Sequence, residues 1–213
     1  MTGWRLAIFD FDGTLADSAD WVFGIMNDVA RRYGFREIDA AEREALRGRP
    51  NREVIRALGV PVWKLPLIAA HMRSLVREKA DDILLFPWSH RILADLSAAG
   101  LKVVIASSND RDTILRILGP ENAVHVSGVS GGASLFGKAA KFRRLMREFG
   151  ASPSETVAIG DEQRDVEAAA QAGIASIAVT WGFATLPALT AAGPTALAAD
   201  ADELLRLLLD GRA

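Results

Sequence analysis

The chain of 213 residues carries 25 Lys and Arg against 27 Asp and Glu, half of its residues are hydrophobic, and it contains no cysteine. This fits one sizeable domain, or a domain with a modest insertion, able to bury a full core. A formal charge of −2 gives no strong field for nucleic acid or an anionic membrane, and the lack of cysteine excludes disulfide staples, thiolate metal sites and a cysteine nucleophile.

The first element is the apolar run Arg5-Leu6-Ala7-Ile8-Phe9, followed by Asp10-Phe11-Asp12-Gly13-Thr14-Leu15. A short apolar run closed by a glycine turn reads as a buried strand of a parallel sheet. Side chains alternate along a strand, so Asp10 and Asp12 point the same way past its carboxyl edge, where open α/β sheets bind ligands. Carboxylates held that close repel each other and call for a cation or a shared proton; oxygen-only ligands suit a hard ion such as Mg²⁺. The bland alternative is a polar Asp-Gly turn that merely ends a strand.

From Asp17 to about Ile83 the chain reads as helical, with candidates at Ala19–Tyr33, Ala40–Arg47, Arg52–Leu58 and Val62–Lys79. Gly34, Gly48, Pro50 and Gly59-Val60-Pro61 punctuate them. Such a helical stretch inserted after the first strand reads as a cap over a site. Its loop Arg47-Gly48-Arg49-Pro50-Asn51-Arg52 sets three arginines around a glycine and a proline. They either reach a second anionic group of a substrate or are solvated surface charge.

Apolar runs then recur at Leu101–Ala106, Ala123–Val126, Thr156–Ile159 and Ile174–Thr180, separated by helical periodicity, which implies βαβ units and a mainly parallel sheet. The second strand ends in Ser107-Ser108-Asn109 ahead of a helix at Asp112–Leu118. A hydroxyl and free N–H groups at a helix start suit phosphate oxygens, although Ser and Asn are also ordinary helix caps. Next, Gly137-Lys138 opens the helix Ala139–Phe149. The stretch from Gly132 to Ala139 nearly matches a nucleotide phosphate loop, but Ala139 stands where that loop needs a hydroxyl for Mg²⁺, which argues against a nucleotide triphosphatase. The strand Thr156–Ile159 runs into Gly160-Asp161-Glu162-Gln163-Arg164-Asp165, whose acids would also complement the dipole of a following helix. His71, His90 and His125 show no metal-ligand spacing; Trp88 and Trp181 stand close to a strand end or a hinge without an assigned role.

Four of these segments, in this order, resemble the motifs of the haloacid-dehalogenase-like (HAD) hydrolase superfamily. Asp10-x-Asp12-x-Thr14 resembles the first, Ser107 the second, Lys138 the third with Lys141 as a rival, and Gly160-Asp161-x3-Asp165 the fourth. The resemblance implies a Rossmann-like five-stranded α/β core, residues 1–16 and 84–213, with a helical cap at 17–83, as in phosphoglycolate phosphatases and β-phosphoglucomutases. It implies Mg²⁺-dependent phosphomonoester hydrolysis of a small phosphorylated metabolite through an aspartyl-phosphate. Asp10 would be the nucleophile and Asp12 the acid and then the base. Asp10, Asp12 and Asp161 would hold the ion, and Ser107, Ser108, Asn109 and Lys138 the phosphate. Thr14 and Asp165 would support them, and Arg49 and Arg52 in the cap would set specificity. Dehalogenases of this superfamily lack an acid at the position of Asp12, which argues against C–halogen chemistry. A phosphomutase uses the same motifs and is the main rival; a non-catalytic phosphate-binding protein would be expected to have lost one of the acids. Phe86-Pro87-Trp88 departs from relatives that carry glycine after the proline. An early strand without a signal-like segment, and no run of about 18 apolar residues, lead to the expectation of a soluble cytoplasmic protein.

Overall fold

The computed structural model describes residues 3–49, 51–132 and 137–210. In chain order, β1 (Leu6–Phe9) and β2 (Ala16–Asp17) are followed by α1 (Ala19–Tyr33), α2 (Ala40–Leu46), α3 (Asn51–Ala57) and α4 (Leu65–Glu78). Then come β3 (Leu84–Leu85), α5 (Ser89–Ala98), β4 (Lys102–Ala106), α6 (Arg111–Leu118), α7 (Pro120–Ala123), β5 (Gly128–Ser130) and α8 (Gly137–Phe149). The chain finishes with β6 (Thr156–Gly160), α9 (Gln163–Ala172), β7 (Ala175–Val179), α10 (Leu186–Ala192), β8 (Ala196–Ala198) and α11 (Ala201–Leu209).

Six strands form one sheet in the order β5-β4-β1-β6-β7-β8, and every pairing in it is parallel. The sequence led to five. The extra strand, Ala196-Leu197-Ala198, has neither β-branched nor aromatic residues and follows a Gly-Pro pair, so propensity does not announce it. It exists because it pairs with Ile177–Val179 at the sheet edge, where Thr195 Oγ1 accepts the N–H of Ser176 at 3.0 Å. The strand expected at Ala123–Val126 lies instead at Gly128–Ser130. Pro120 starts a short helix there, Asn122 donates to the carbonyl of Leu118 at 2.7 Å, and Val124 is left in solvent.

Burial on both faces explains the unbroken apolar runs. Along β1, Ala7 and Phe9 face a core with Val103, Ile105, Val157 and Ile159, closed by α5 and α11. Leu6 and Ile8 face the other way, against Phe142, Leu145 and Met146 of α8 and Ala168, Ala169 and Ala172 of α9. Each fully buried Leu, Ile or Phe contributes about 1.5–3 kcal/mol, so truncating Ile8 to Ala would cost roughly 2–5 kcal/mol. This sandwiching fixes the carboxyl ends of β1, β4 and β6 side by side.

The helices α1–α4 lie between β2 and β3, which pair antiparallel through Ala16↔Leu85 and Asp17↔Leu84. Gly34, at φ +67°, ends α1, and Asp39 caps α2 by accepting the N–H of Glu42. The single helix expected at Val62–Lys79 is split: Val62–Lys64 form a 3-10 turn, and Pro66 sits in the first turn of α4, where its missing N–H costs nothing. No helix among the described residues is long and apolar enough to cross a membrane.

Candidate active site

After β1 the backbone turns tightly, the carbonyl of Phe11 accepting the N–H groups of Leu15 and Ala16, both at 2.9 Å. Gly13 makes this turn at φ +74°, and a Cβ there would lie 2.2 Å from Asp161 Oδ2. The glycine therefore lets the end of β6 close up against the end of β1. Gly160 does the same on the other side, its missing Cβ leaving room for the side chain of Asp165.

Asp161 is fully buried, and both its oxygens are occupied: Thr14 Oγ1 donates to Oδ1 at 2.9 Å and the N–H of Phe183 to Oδ2 at 2.8 Å. Asp10, Asp161 and Asp165 each bring a carboxylate oxygen within 4.8 Å of the others. Burial, reinforced by the charges of Asp165 and Asp10, pushes Asp161 well above the ordinary carboxylate range. A lysine in direct contact offsets part of this charge. Lys138 Nζ lies 2.9 Å from Asp10 Oδ1 and 2.5 Å from Asp165 Oδ1. Burial opposes its charge, but the Asp10 and Asp165 carboxylates prevail and hold it above the usual lysine range.

Asp12 stands apart from this cluster. Its Oδ2 accepts from Asn109 Nδ2 at 2.8 Å and from Ser107 Oγ at 3.4 Å. Burial, and then the charge of Asp10, raise its pKa to about 6. Neither Ser107 nor Asn109 caps the next helix: Asp110 does, accepting the N–H of Thr113 at 2.9 Å. Their polar groups are thus left to the site. A cavity of about 330 Å³ opens here, lined by Asp10, Asp12, Ser107, Ser108, Lys138 and Arg164 among others.

The two candidate lysines separate cleanly. Lys141 donates to the carbonyls of Ser107, Gly132 and Ser130 at 2.8, 2.7 and 3.1 Å, and so ties the β4 and β5 loops together. Burial and the charge of Lys138 lower its pKa to about 8. Within the stretch that resembles a phosphate loop, residues 133–136 lie outside the described residues.

Among the described residues, the structure does not pair Arg49 or Arg52 with Asp10, Asp161 or Asp165. Arg49 is exposed, just past the end of α2, and its Nε donates back to Ala45 O of that helix at 2.9 Å. Arg52 lines a neighbouring cavity of about 600 Å³ with Glu162, Gln163, Arg164 and Glu167. Arg47 is the arginine that crosses to the loop after β7, donating to the carbonyls of Gly182 and Phe183. Its partners, with Arg164 at the cavity rim, escaped the sequence reading; the one available signal was the Trp181-Gly182-Phe183 run after a strand. Trp181 packs edge-on to Trp88 with ring centres 5.6 Å apart and donates its indole N–H to Thr14 O at 3.1 Å, supporting the β1 turn from below. His90 pairs with Asn122 at 2.9 Å and packs against His125, while His71 packs against Tyr33, so none of the three is in the site.

Residues 7–179 match the family model described as haloacid dehalogenase-like hydrolase. The chain belongs to this family. It is 34% identical over 200 residues to a phosphoglycolate phosphatase of Synechococcus elongatus, covering 93% of this chain and 94% of that protein. A protein of Mycobacterium bovis named tyrosine-protein kinase PtkA is 29% identical over 96% of this chain and 72% of its own length. Among solved structures, a predicted phosphatase of Clostridium acetobutylicum has the same fold, with a TM-score of 0.82 at 23% identity over 97% of this chain and 99% of that one. The family and the Synechococcus relative bear out the enzyme class and the branch of HAD-like hydrolases read from the sequence.

Proposed function

We propose that this HAD-like hydrolase is a Mg²⁺-dependent phosphatase that releases inorganic phosphate from a small phosphomonoester through an aspartyl-phosphate at Asp10. The observation that carries the reading is Lys138: a half-buried ammonium held between Asp10 and Asp165, lining a cavity that Ser107 and Ser108 also line.

In this reading the Asp10 carboxylate attacks phosphorus in line, and the bond to the ester oxygen breaks. Lys138 offsets charge on the phosphoryl oxygens while Ser107 and the Asn109 amide orient them. Asp12, with a pKa of about 6, has protonated and ionised forms both within reach near neutrality. It gives its proton to the leaving alkoxide, then takes one from the water that attacks the phosphoryl group, and Asp10 is regenerated as a carboxylate. The donor set fits a hard divalent ion, because Asp10 and Asp161 are buried oxygen ligands in a cluster with three acids and one ammonium. Held there, Mg²⁺ would supply further charge neutralisation for phosphoryl transfer.

Residues 17–83 act in this proposal as a cap, and Arg52 and Arg49 as cations for a second anionic group of the substrate. The similarity to the Synechococcus enzyme makes phosphoglycolate the first substrate to assay. We place the enzyme in the cytoplasm.

The test is phosphate release from a panel of phosphorylated metabolites with Mg²⁺ and no bisphosphate primer. Bisphosphate-dependent isomerisation of a hexose phosphate with little phosphate released would establish a mutase instead. Transfer from ATP to a tyrosine peptide, without phosphomonoester hydrolysis, would overturn both readings.

A further inference from the structure

Asp161 is gripped from outside the sheet. The N–H of Phe183 donates to its Oδ2 at 2.8 Å, and the N–H of Ala184 reaches its backbone carbonyl at 3.3 Å. The N–H of Phe183 and the carbonyl of Gly182 belong to one planar, trans peptide group, so they point in opposite directions. That carbonyl accepts from Arg47 Nη2 at 2.6 Å, and the next one, of Phe183, accepts from Arg47 Nε at 3.0 Å. Gly182 packs so closely on the acid that a Cβ on it would lie 2.3 Å from Asp161 Oδ2. One peptide unit is thus pinned between a carboxylate of the sheet and a guanidinium of the helical segment.

The contact around Arg47 is close. Gly48, at φ +74°, lies so near α10 that a Cβ would meet Thr185 Oγ1 at 2.5 Å, and its carbonyl accepts from Gln163 Nε2 at 2.7 Å. Gln163 begins α9, two residues beyond Asp161. The end of α2 therefore touches both loops that frame this acid.

We infer that Arg47 is a positioning residue: through the Gly182–Phe183 peptide it holds Asp161 in its ion-binding orientation, so that docking of the helical segment and loading of the divalent cation favour each other. This inference rests on the assignment of Asp161 as a metal ligand. Coupling of this kind is reciprocal: what docking contributes to cation affinity, the cation returns to docking. The sign separates it from simple charge effects. Acting only through space, Arg47 repels a cation, and its removal would tighten the site. As a positioning residue, its removal loosens the site.

The experiment is calorimetric titration of the full chain with Mg²⁺ alone, alongside the Mg²⁺ dependence of kcat at saturating substrate. Arg47→Ala is expected to weaken Mg²⁺ binding by about fivefold or more, with kcat recovered at high Mg²⁺. Arg47→Lys, keeping one of the two contacts, should recover part of the affinity. Gly48→Ala, which lifts the segment off α10 without altering charge, should act in the same direction and serves if Arg47→Ala fails to fold. Arg56→Ala, an exposed cation of the same segment, should bind as wild type. Unchanged or tighter binding by Arg47→Ala and Gly48→Ala, with Asp161→Ala unable to bind, would overturn the inference and leave the metal assignment standing. Equal weakening by Arg56→Ala would overturn it too. Binding that persists in Asp161→Ala would instead remove the metal assignment itself.

Discussion

Lys138 Nζ lies 2.9 Å from Asp10 Oδ1, which puts the only cation in direct contact with the acidic cluster, among the described residues, on the proposed nucleophile. Replacing Lys138 with Ala should lower kcat by on the order of 100-fold or more, the usual effect of losing a donor that stabilises transition-state charge. Lys141→Ala should act differently. It strands three carbonyls and so should lower Tm more than it lowers kcat. Steady-state phosphate release and thermal melts of both variants check the division; an inverted pattern would exchange the two roles.

Asp10→Asn keeps the shape of the nucleophile but removes its charge, and turnover of p-nitrophenyl phosphate should fall by at least about 10³-fold. Retention of more than a small percentage of activity, with purity established, would rule out the covalent route.

Because the ion binds only the folded site, saturating Mg²⁺ should raise Tm by about 5–10 °C at roughly 100 times its Kd, and Asp161→Ala should show no such rise. EDTA should abolish phosphate release. An enzyme indifferent to EDTA would not use this cluster for a metal.

The pKa of Asp12 rises from 3.8 to about 6 in the folded protein. Between those values the native state binds more protons than the unfolded one, so this contribution to stability is present at lower pH and is lost as pH climbs through 6. From pH 5 to pH 7, in the absence of metal, Asp12 should cost about 1 kcal/mol, a Tm decrease of about 3 °C. Calorimetry of Asp12→Asn should show a flatter pH dependence than wild type; identical slopes would place the titration elsewhere.

Arg52→Ala should reduce kcat/KM for a substrate with a second anionic group by about 1–3 kcal/mol, the scale of one charge-assisted contact, and leave p-nitrophenyl phosphate less affected. Equal kinetics across the substrate panel would show that this loop does not set specificity.

What the sequence revealed followed from strong local constraints. The strands beneath Asp10, Ser107 and Asp161 are buried on both faces and read as continuous apolar runs, so their carboxyl ends were legible. Ala19–Tyr33 emerged with its observed bounds because Gly34 closes it in a left-handed conformation. The edge strands were not legible: Gly128–Ser130 and Ala196–Ala198 are three residues each, and they are strands only because a neighbour offers a ladder. Choosing between Lys138 and Lys141 needed three dimensions, since both lie on α8 within a turn of each other and only one reaches the acids. The same holds for Arg47. Its partners lie 135 and 136 residues away in sequence, and backbone carbonyls leave no trace in residue type.

The chain leaves the sheet region at Ala16–Asp17 and returns at Leu84–Leu85, and these two strands are hydrogen-bonded to each other. Everything from α1 to α4 therefore enters and leaves through one two-stranded neck. The neck is not the segment's only hold on the core: Arg77 and Asp81 pair with Asp110 and Arg116 at α6, and Arg47 reaches the carbonyls of Gly182 and Phe183. A segment grafted from a relative through this neck would therefore have to bring its own partner for the Gly182–Phe183 peptide that donates to Asp161.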